Sequence, residues 1–252
     1  MIAALLLSKA GVIALTFLGV FMLERTFPAT ALRSGLARLG RNFSLVTLNI
    51  ILSPFIVIPI TKLASNWALA WRPEWLGGWF GLGIDVLVLD CWIYFWHRLN
   101  HVVPILWRFH EVHHLDENLD ASSALRFHFG EVALSAVARV AIIYGLTISF
   151  AHVVIFETLV TVAALFHHSN LRLASSFERL LSLIIVTPSI HWVHHHALRS
   201  DTDSNYATVF SVWDIVFKSR SPNMRIAAME MGVEGKTDVN ILRLILRPFY
   251  RA

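Results

Sequence analysis

The chain runs to 252 residues, 56% of them apolar and only 15% charged, with a mean hydropathy of +0.61. That balance excludes an ordinary soluble core and makes lipid the solvent for much of the polypeptide, while the length fits a single catalytic domain over residues 1–252. A formal charge of +4 spread over scattered arginines gives no stripe for nucleic acid, and the single Cys91 excludes an intramolecular disulfide and reads as a buried thiol.

Residues 2–23 form an apolar run interrupted by Lys9, long enough to cross a hydrocarbon layer of ~30 Å as a helix. Ala29-Thr30-Ala31 imitates a signal-cleavage site, but no basic segment precedes the run and Glu24-Arg25 intervenes, so the run is read as a retained span. Residues 43–63 make a second span that Pro54 and Pro59 kink or end early, and residues 79–96 a third. The stretch from Glu131 to Phe166 fits a tight helical hairpin, or one span followed by a helix that penetrates partway, giving three to five membrane helices in all.

Arg25, Arg33, Arg38 and Arg41 outweigh Glu24 between the first two spans. Between the second and third, Arg72 and Glu74 cancel amid Trp67, Trp71, Trp75 and Trp79, which suit an aromatic belt on the far side. The exit of the third span therefore faces the cytoplasm, at a bacterial inner membrane or an ER-type membrane, and the stretch from Gly145 to His152, without Lys or Arg, turns on the opposite side. A catalytic part of about 79–220 is followed by a more polar tail, 221–252, closing in Ile241-Leu242-Arg243-Leu244-Ile245-Leu246-Arg247, an amphipathic segment suited to the membrane surface. The fold class expected is all-α: a polytopic helical protein with a cytosolic helical cap.

Thirteen histidines stand out by placement. His97-Arg98-Leu99-Asn100-His101 puts two imidazoles one turn apart, on a face that reaches back to Tyr94 and Asp90. An intramembrane carboxylate such as Asp90 is a functional candidate unless it pairs with a group such as Arg98. His110-Glu111-Val112-His113-His114 converges at i, i+3 and i+4, His191-Trp192-Val193-His194-His195-His196 repeats that spacing, and His167-His168 closes the fourth apolar region. A lone histidine on an apolar face is usually a hydrogen-bonded core residue, but three spaced clusters at membrane exits on one side are not accounted for that way. Eight or nine imidazoles without cysteine partners suffice for two ions, and redox iron with open positions activates O2 where zinc does not.

At these residues the chain resembles the membrane-bound fatty acid hydroxylase and sterol desaturase family. The likeness runs through Asp90, Tyr94, His97, His101, the segment 106–110, His113-His114, Arg126, His128, Glu131 and 166–170. It continues at Pro188, His191, His194, His195, Asn205-Tyr206, Trp213-Asp214 and Phe217, and in the tail at 232–235 and 247–249. The resemblance implies a di-metal centre of two Fe ions ligated by His97, His101, His110, His113, His114, His168, His191, His194 and His195. It also implies O2 as co-substrate, a lipid or sterol substrate hydroxylated or desaturated, and electrons from a separate electron-transfer protein or reductase. Phe129 stands where relatives carry proline, and Ala207 and Lys218 where they carry glycines. His128 is a further ligand or an outer hydrogen bonder; His167 and His196 are read as outer residues and His152 as a polar core residue. Two rival readings stand beside the oxygenase: a membrane zinc protease using His110-Glu111-Val112-His113-His114 as an H-E-x-x-H motif with Glu111 as general base, and a divalent-metal transporter whose histidines line a pathway.

Overall fold

A computed structural model describes residues 2–31 and 35–250; Arg33, one of the four basic residues invoked for orientation, lies outside them. The described residues are helical, with three isolated β-bridges and no strand. The first long helix, α1 (Ile2–Thr26), is followed by α2 (Leu36–Leu52) and α3 (Val57–Asn66). The last two form one apolar pair bent by 44° at Ser53–Ile56, where Pro54 removes a backbone donor, while Pro59 is accommodated in the first turn of α3. Then come α4 (Gly78–Val102) and α5 (Pro104–His114), with Pro104 opening α5 where its missing N–H is harmless. The hairpin α6 (Phe129–Leu146) and α7 (Phe150–His167) turns through Thr147 in the left-handed region, φ 54°. Among the described residues four helices are long and apolar enough to span a membrane, five if the bent pair counts as one span. α6 and α7 form a helical hairpin with both arms of spanning length, and the third apolar helix runs on past residue 96 to carry His97 and His101.

Beyond α7 the chain forms short elements that sit over one end of the bundle: α8 (Ser175–Leu181), α9 (Pro188–His194), α10 (Arg199–Thr202), α11 (Val212–Val216) and, in the tail, α12 (Ile241–Leu246). α1 packs on α7, α3 on α6, and α4 on both α5 and α7. An apolar core of Ala64, Leu89, Ile143, Ile148, Val153 and Phe156 fills the end near the hairpin tip. Leu7, Leu15 and Met22 on α1, and Trp67, Trp71, Trp75 and Trp79 around the second connection, are exposed, as surfaces facing lipid and its interface should be.

The cap is pinned to the bundle by buried charge. Glu24 at the end of α1 accepts the N–H groups of Ala121 and Asn170 at 3.0 and 2.9 Å. Arg38 on α2 forks onto Asp116 (2.5 and 2.9 Å) and also reaches Asp120, while Arg126 donates to the carbonyl of Val112 and to Asp238 in the tail. Burial alone would push the Asp116 carboxyl up; the Arg38 and Arg126 guanidiniums hold it below its usual range. These pairs fix the loop between α5 and α6, so the second histidine cluster has no freedom to swing away from the first. Of the arginines that set orientation in the sequence, Arg38 and Arg41 serve as clamps, the latter onto Asp238.

Candidate metal centre

All nine histidines expected as ligands come together in two groups. One ring atom each of His97, His101, His110, His114 and His194 lie within 4.8 Å of one another, and so do those of His113, His168, His191 and His195. α4 supplies the first pair, α5 distributes its three histidines over both groups, His168 directly follows α7, and α9 carries His191 and His194 with His195 just after it. The groups share a wall: the rings of His114 and His195, one from each, stack 4.4 Å apart.

Six of the nine outward nitrogens are held by hydrogen bonds, while Nδ1 of His114, His191 and His195 has no partner among the described residues. Nδ1 of His97 meets the carbonyl of Tyr206 (2.8 Å), Nδ1 of His113 that of Arg126 (3.1 Å), Nδ1 of His168 that of Ala164 (2.8 Å) and Nδ1 of His194 that of Ser204 (2.6 Å). Nδ1 of His110 meets Glu131 Oε1 at 2.8 Å, and Nδ1 of His101 lies 3.3 Å from Asp203. A carbonyl can only accept, so each of those rings carries its proton on Nδ1 and turns the Nε2 lone pair inward. Gly130 makes the Glu131 contact possible: a Cβ there would come within 2.5 Å of the Phe109 ring that packs α5 against the start of α6.

Inside the two groups the Nε2 atoms crowd one another. His110 Nε2 lies 3.1 Å from that of His97 and 3.2 Å from that of His114; His168 Nε2 lies 3.0 Å from those of His113 and His191, and His191 Nε2 3.1 Å from that of His195. Two nitrogens bound to one cation at about 2.0–2.1 Å, with an angle between about 90° and about 109°, are about 2.8–3.4 Å apart. The observed edges fall in that range. His101 Nε2 and His194 Nε2 are buried without any partner among the described residues, and such orphaned acceptors are costly unless something fills the space between them. Burial pushes His113, His114, His191, His194 and His195 far below the usual imidazole range and His168 to about 4, so they are neutral near pH 7, the form that ligates. The donor set fits a pair of imidazole-bound cations.

The remaining histidines separate cleanly. His128 has both nitrogens engaged, Nε2 with the carbonyl of Ile245 (2.9 Å) and Nδ1 with the N–H of Gly130 (2.9 Å), so it caps α6 and ties down the tail. His196 pairs with Asp201 at 2.7 Å and His152 with Asp85 at 2.6 Å. His167 stands behind the second group, its ring centroid 4.0 Å from that of His191. Asp90 is neither near the ions' place nor paired with Arg98: it accepts the N–H groups of Val209 and Phe210 and the indole of Trp213. It anchors the 205–219 loop that also supplies the Tyr206 carbonyl, together with Asp214, which accepts the N–H groups of Tyr206 and Ala207. In the same loop Lys218 adopts φ 55°, which explains a glycine preference there. Glu131, which orients His110, stands in the family likeness without a role, and Asp203, which lies beside His101, is not part of it. Glu131 was findable by the logic applied to Asp90, as a carboxylate at the mouth of an apolar helix; Asp203 carries no such signal.

Over 181 residues the chain is 25% identical to an ornithine lipid hydroxylase, OlsE, of Rhizobium tropici, an alignment covering 72% of this chain and 54% of that protein. It is 32% identical over 158 residues to the alkylglycerol monooxygenase of Homo sapiens (59% and 31% covered) and 30% identical over 158 residues to that of Danio rerio (61% and 32%). The chain thus matches about half of the bacterial relative and about a third of the animal ones. No solved structure matches it. The model of the fatty acid hydroxylase family matches residues 83–219, more than half of the chain and the whole histidine constellation, and the chain belongs to that family.

Proposed function

We propose that this protein is an O2-dependent di-iron oxidoreductase that hydroxylates a lipid-like substrate, with its metal site on the cytoplasmic face of the membrane. One observation carries the reading: nine convergent imidazoles form two adjoining groups, and five of them, His97, His110, His113, His168 and His191, line a cavity of about 310 Å3 that runs into the helical bundle between apolar side chains such as Ile93, Val132, Phe156 and Val160. His97, His101, His110, His113, His114, His168, His191, His194 and His195 would hold an iron pair, which would supply O2 activation when two electrons from a separate redox protein and two protons are delivered, one oxygen atom going into a C–H bond and the other leaving as water. The chain's own part is to hold the imidazoles neutral and oriented through Glu131, Asp203 and the carbonyls of Tyr206, Ser204, Arg126 and Ala164, and to offer a dry path to an apolar chain. Both named relatives act on lipids that combine a hydrocarbon chain with a polar group, which favours hydroxylation over desaturation and a fatty acyl or similar lipid over a rigid ring system. Arg25, Arg38 and Arg41 on the histidine side support the cytoplasmic orientation.

The rival readings meet specific obstacles. Glu111 turns away from the histidines and is bound by Lys236 and by Arg247 Nε at 2.7 Å, so it is no general base for a zinc-bound water. A cation leaving the histidines through the bundle would meet Lys9 and Arg139, a poor lining for a divalent-metal path. The test is elemental analysis of purified protein joined to lipid profiling under 18O2. About two irons per chain and one labelled oxygen in a lipid product are expected; a single tightly held zinc with no label incorporated overturns the proposal.

A further inference from the structure

The cavity beneath the histidines ends on charge. Lys9 of α1, Arg139 of α6 and Glu157 of α7 all line it, with Lys9 Nζ 2.6 Å from Glu157 Oε2 and Arg139 Nη2 2.6 Å from Glu157 Oε1. A structural pin between these helices needs one cation and one carboxylate. Here two cations share a single carboxylate in contact, while the other carboxylate lining the cavity, Glu131, faces His110 at the histidine end, so the surplus of positive charge at Arg139 and Lys9 is local. Arg139 is 6% exposed, and its Nε is buried with no acceptor among the described residues. Because α6 begins at the histidine end, the Arg139 side chain leans back toward the histidines, and its guanidinium carbon lies 5.8 Å from the centroid of Trp92, little more than a turn below His97 on α4. Along α6, Arg139 is about 12 Å from Glu131, the residue that orients His110.

We infer that Arg139 and Lys9 form an anion subsite at the inner end of the cavity, which takes the carboxylate of a fatty acid-like substrate while its chain extends toward the histidines. The missing anion balances the surplus cation and supplies the acceptor that Arg139 Nε lacks. The distance from Arg139 to the histidine end, on the order of 10 Å by helix rise, then selects which carbon of the chain faces the metal site. The inference rests on this cavity being the substrate site, as proposed above, and names the class of polar group it selects.

The test is binding in the absence of turnover. Metal-free protein, purified in a non-ionic detergent and kept without reductant, is titrated at pH 8.5 with 11-bromoundecanoate or 11-bromoundecanol, reading quenching of Trp96, which lines the cavity, as the difference from a Trp96→Phe control. The carboxylate should bind at least tenfold more tightly than the alcohol. Arg139→Gln should bring the two to parity, Arg139→Lys should keep part of the preference, and Glu157→Gln, which removes the competing anion, should widen it. Equal affinities in the wild type, or an undiminished preference in folded Arg139→Gln, overturn the subsite. If Arg139→Gln does not fold, Lys9→Met and Glu157→Gln decide: the preference must narrow in the first and widen in the second, and no change in both overturns it. Since neither iron nor O2 takes part, failure of the oxygenase proposal would leave this result standing, and the reverse.

Discussion

The two ends of the α6–α7 hairpin bury similar chemistry to opposite effect. At the tip, Asp85 accepts both Nη groups of Arg72 (2.9 and 3.1 Å) and Nδ1 of His152 (2.6 Å), and Arg72 also donates to the carbonyls of Leu76 and Leu146. That network is closed: charge, carboxylate and imidazole satisfy one another and stitch the connection before α4 to the turn after α6. At the other end the network stays open: six of the nine histidines have their outer nitrogens engaged, while Nε2 of His101 and His194 and Nδ1 of His114, His191 and His195 are buried without a partner among the described residues. A buried polar group that is completely partnered is explained by the fold; one left over by an otherwise careful arrangement points to a ligand.

The sharpest way to break this contrast is to remove one inner nitrogen from each group. His113→Ala and His194→Ala should each abolish turnover and take iron, counted by elemental analysis, below two per chain, whereas His152→Ala at the tip should leave iron content unchanged. Normal loading in either of the first two would sink the two-group assignment. Next comes the outer shell. Glu131→Ala removes the carboxylate behind His110, and metal affinity measured by competition with a chelator should fall about 10–100-fold with the helical content unchanged. A smaller effect, of a different kind, belongs to the tip: Asp85→Ala strands the Arg72 guanidinium and should destabilise the protein by about 3 kcal/mol, seen as a lower melting temperature at the same iron content per chain. Loss of iron there would mean that the two ends are coupled rather than separate.

How far the sequence alone reaches follows the same division. The spans were legible because apolar length is a one-dimensional property, and the bend at Ser53–Ile56 because Pro54 announces it. The histidine clusters are legible because helical spacing places His97 with His101, and His110 with His113 and His114, on common faces before any tertiary contact is known, while the full set of nine, His168 included, comes from the family resemblance. The partition is not. That His113 sides with His168, His191 and His195 while its neighbour His114 joins His97 and His101 depends on how α5 is rolled against α4 and α9, and local periodicity carries no record of that roll. Asp90 was overvalued for the same reason: an intramembrane carboxylate signals a demand for partners, but only the path of the 205–219 loop reveals that Val209, Phe210 and Trp213 meet it. Arg139 and Glu157 drew no notice in a linear reading, since their meaning lies in sharing a cavity with Lys9.

The finest test concerns Glu111, where a short motif and the fold disagree. As the base of an H-E-x-x-H hydrolase it would be indispensable; as found, it joins α5 to Lys236 and Arg247 of the tail, whose side chains are 34% and 27% exposed. Glu111→Gln should therefore leave metal loading and turnover intact and lower stability by only about 1 kcal/mol, since solvent screens both partners. Burial raises the Glu111 carboxyl, but Arg247 and Lys236 more than offset it, so its value in the folded protein lies below the ordinary one. A depressed carboxylate stabilises the fold above its unfolded value, about 4.3, and loses that contribution as pH falls through the folded value. The melting-temperature gap between wild type and Glu111→Gln should thus be full at pH 7 and close in acid; a gap that persists in acid would mean that Glu111 acts through packing, and a loss of activity of two orders or more at pH 7 would return the hydrolase to consideration.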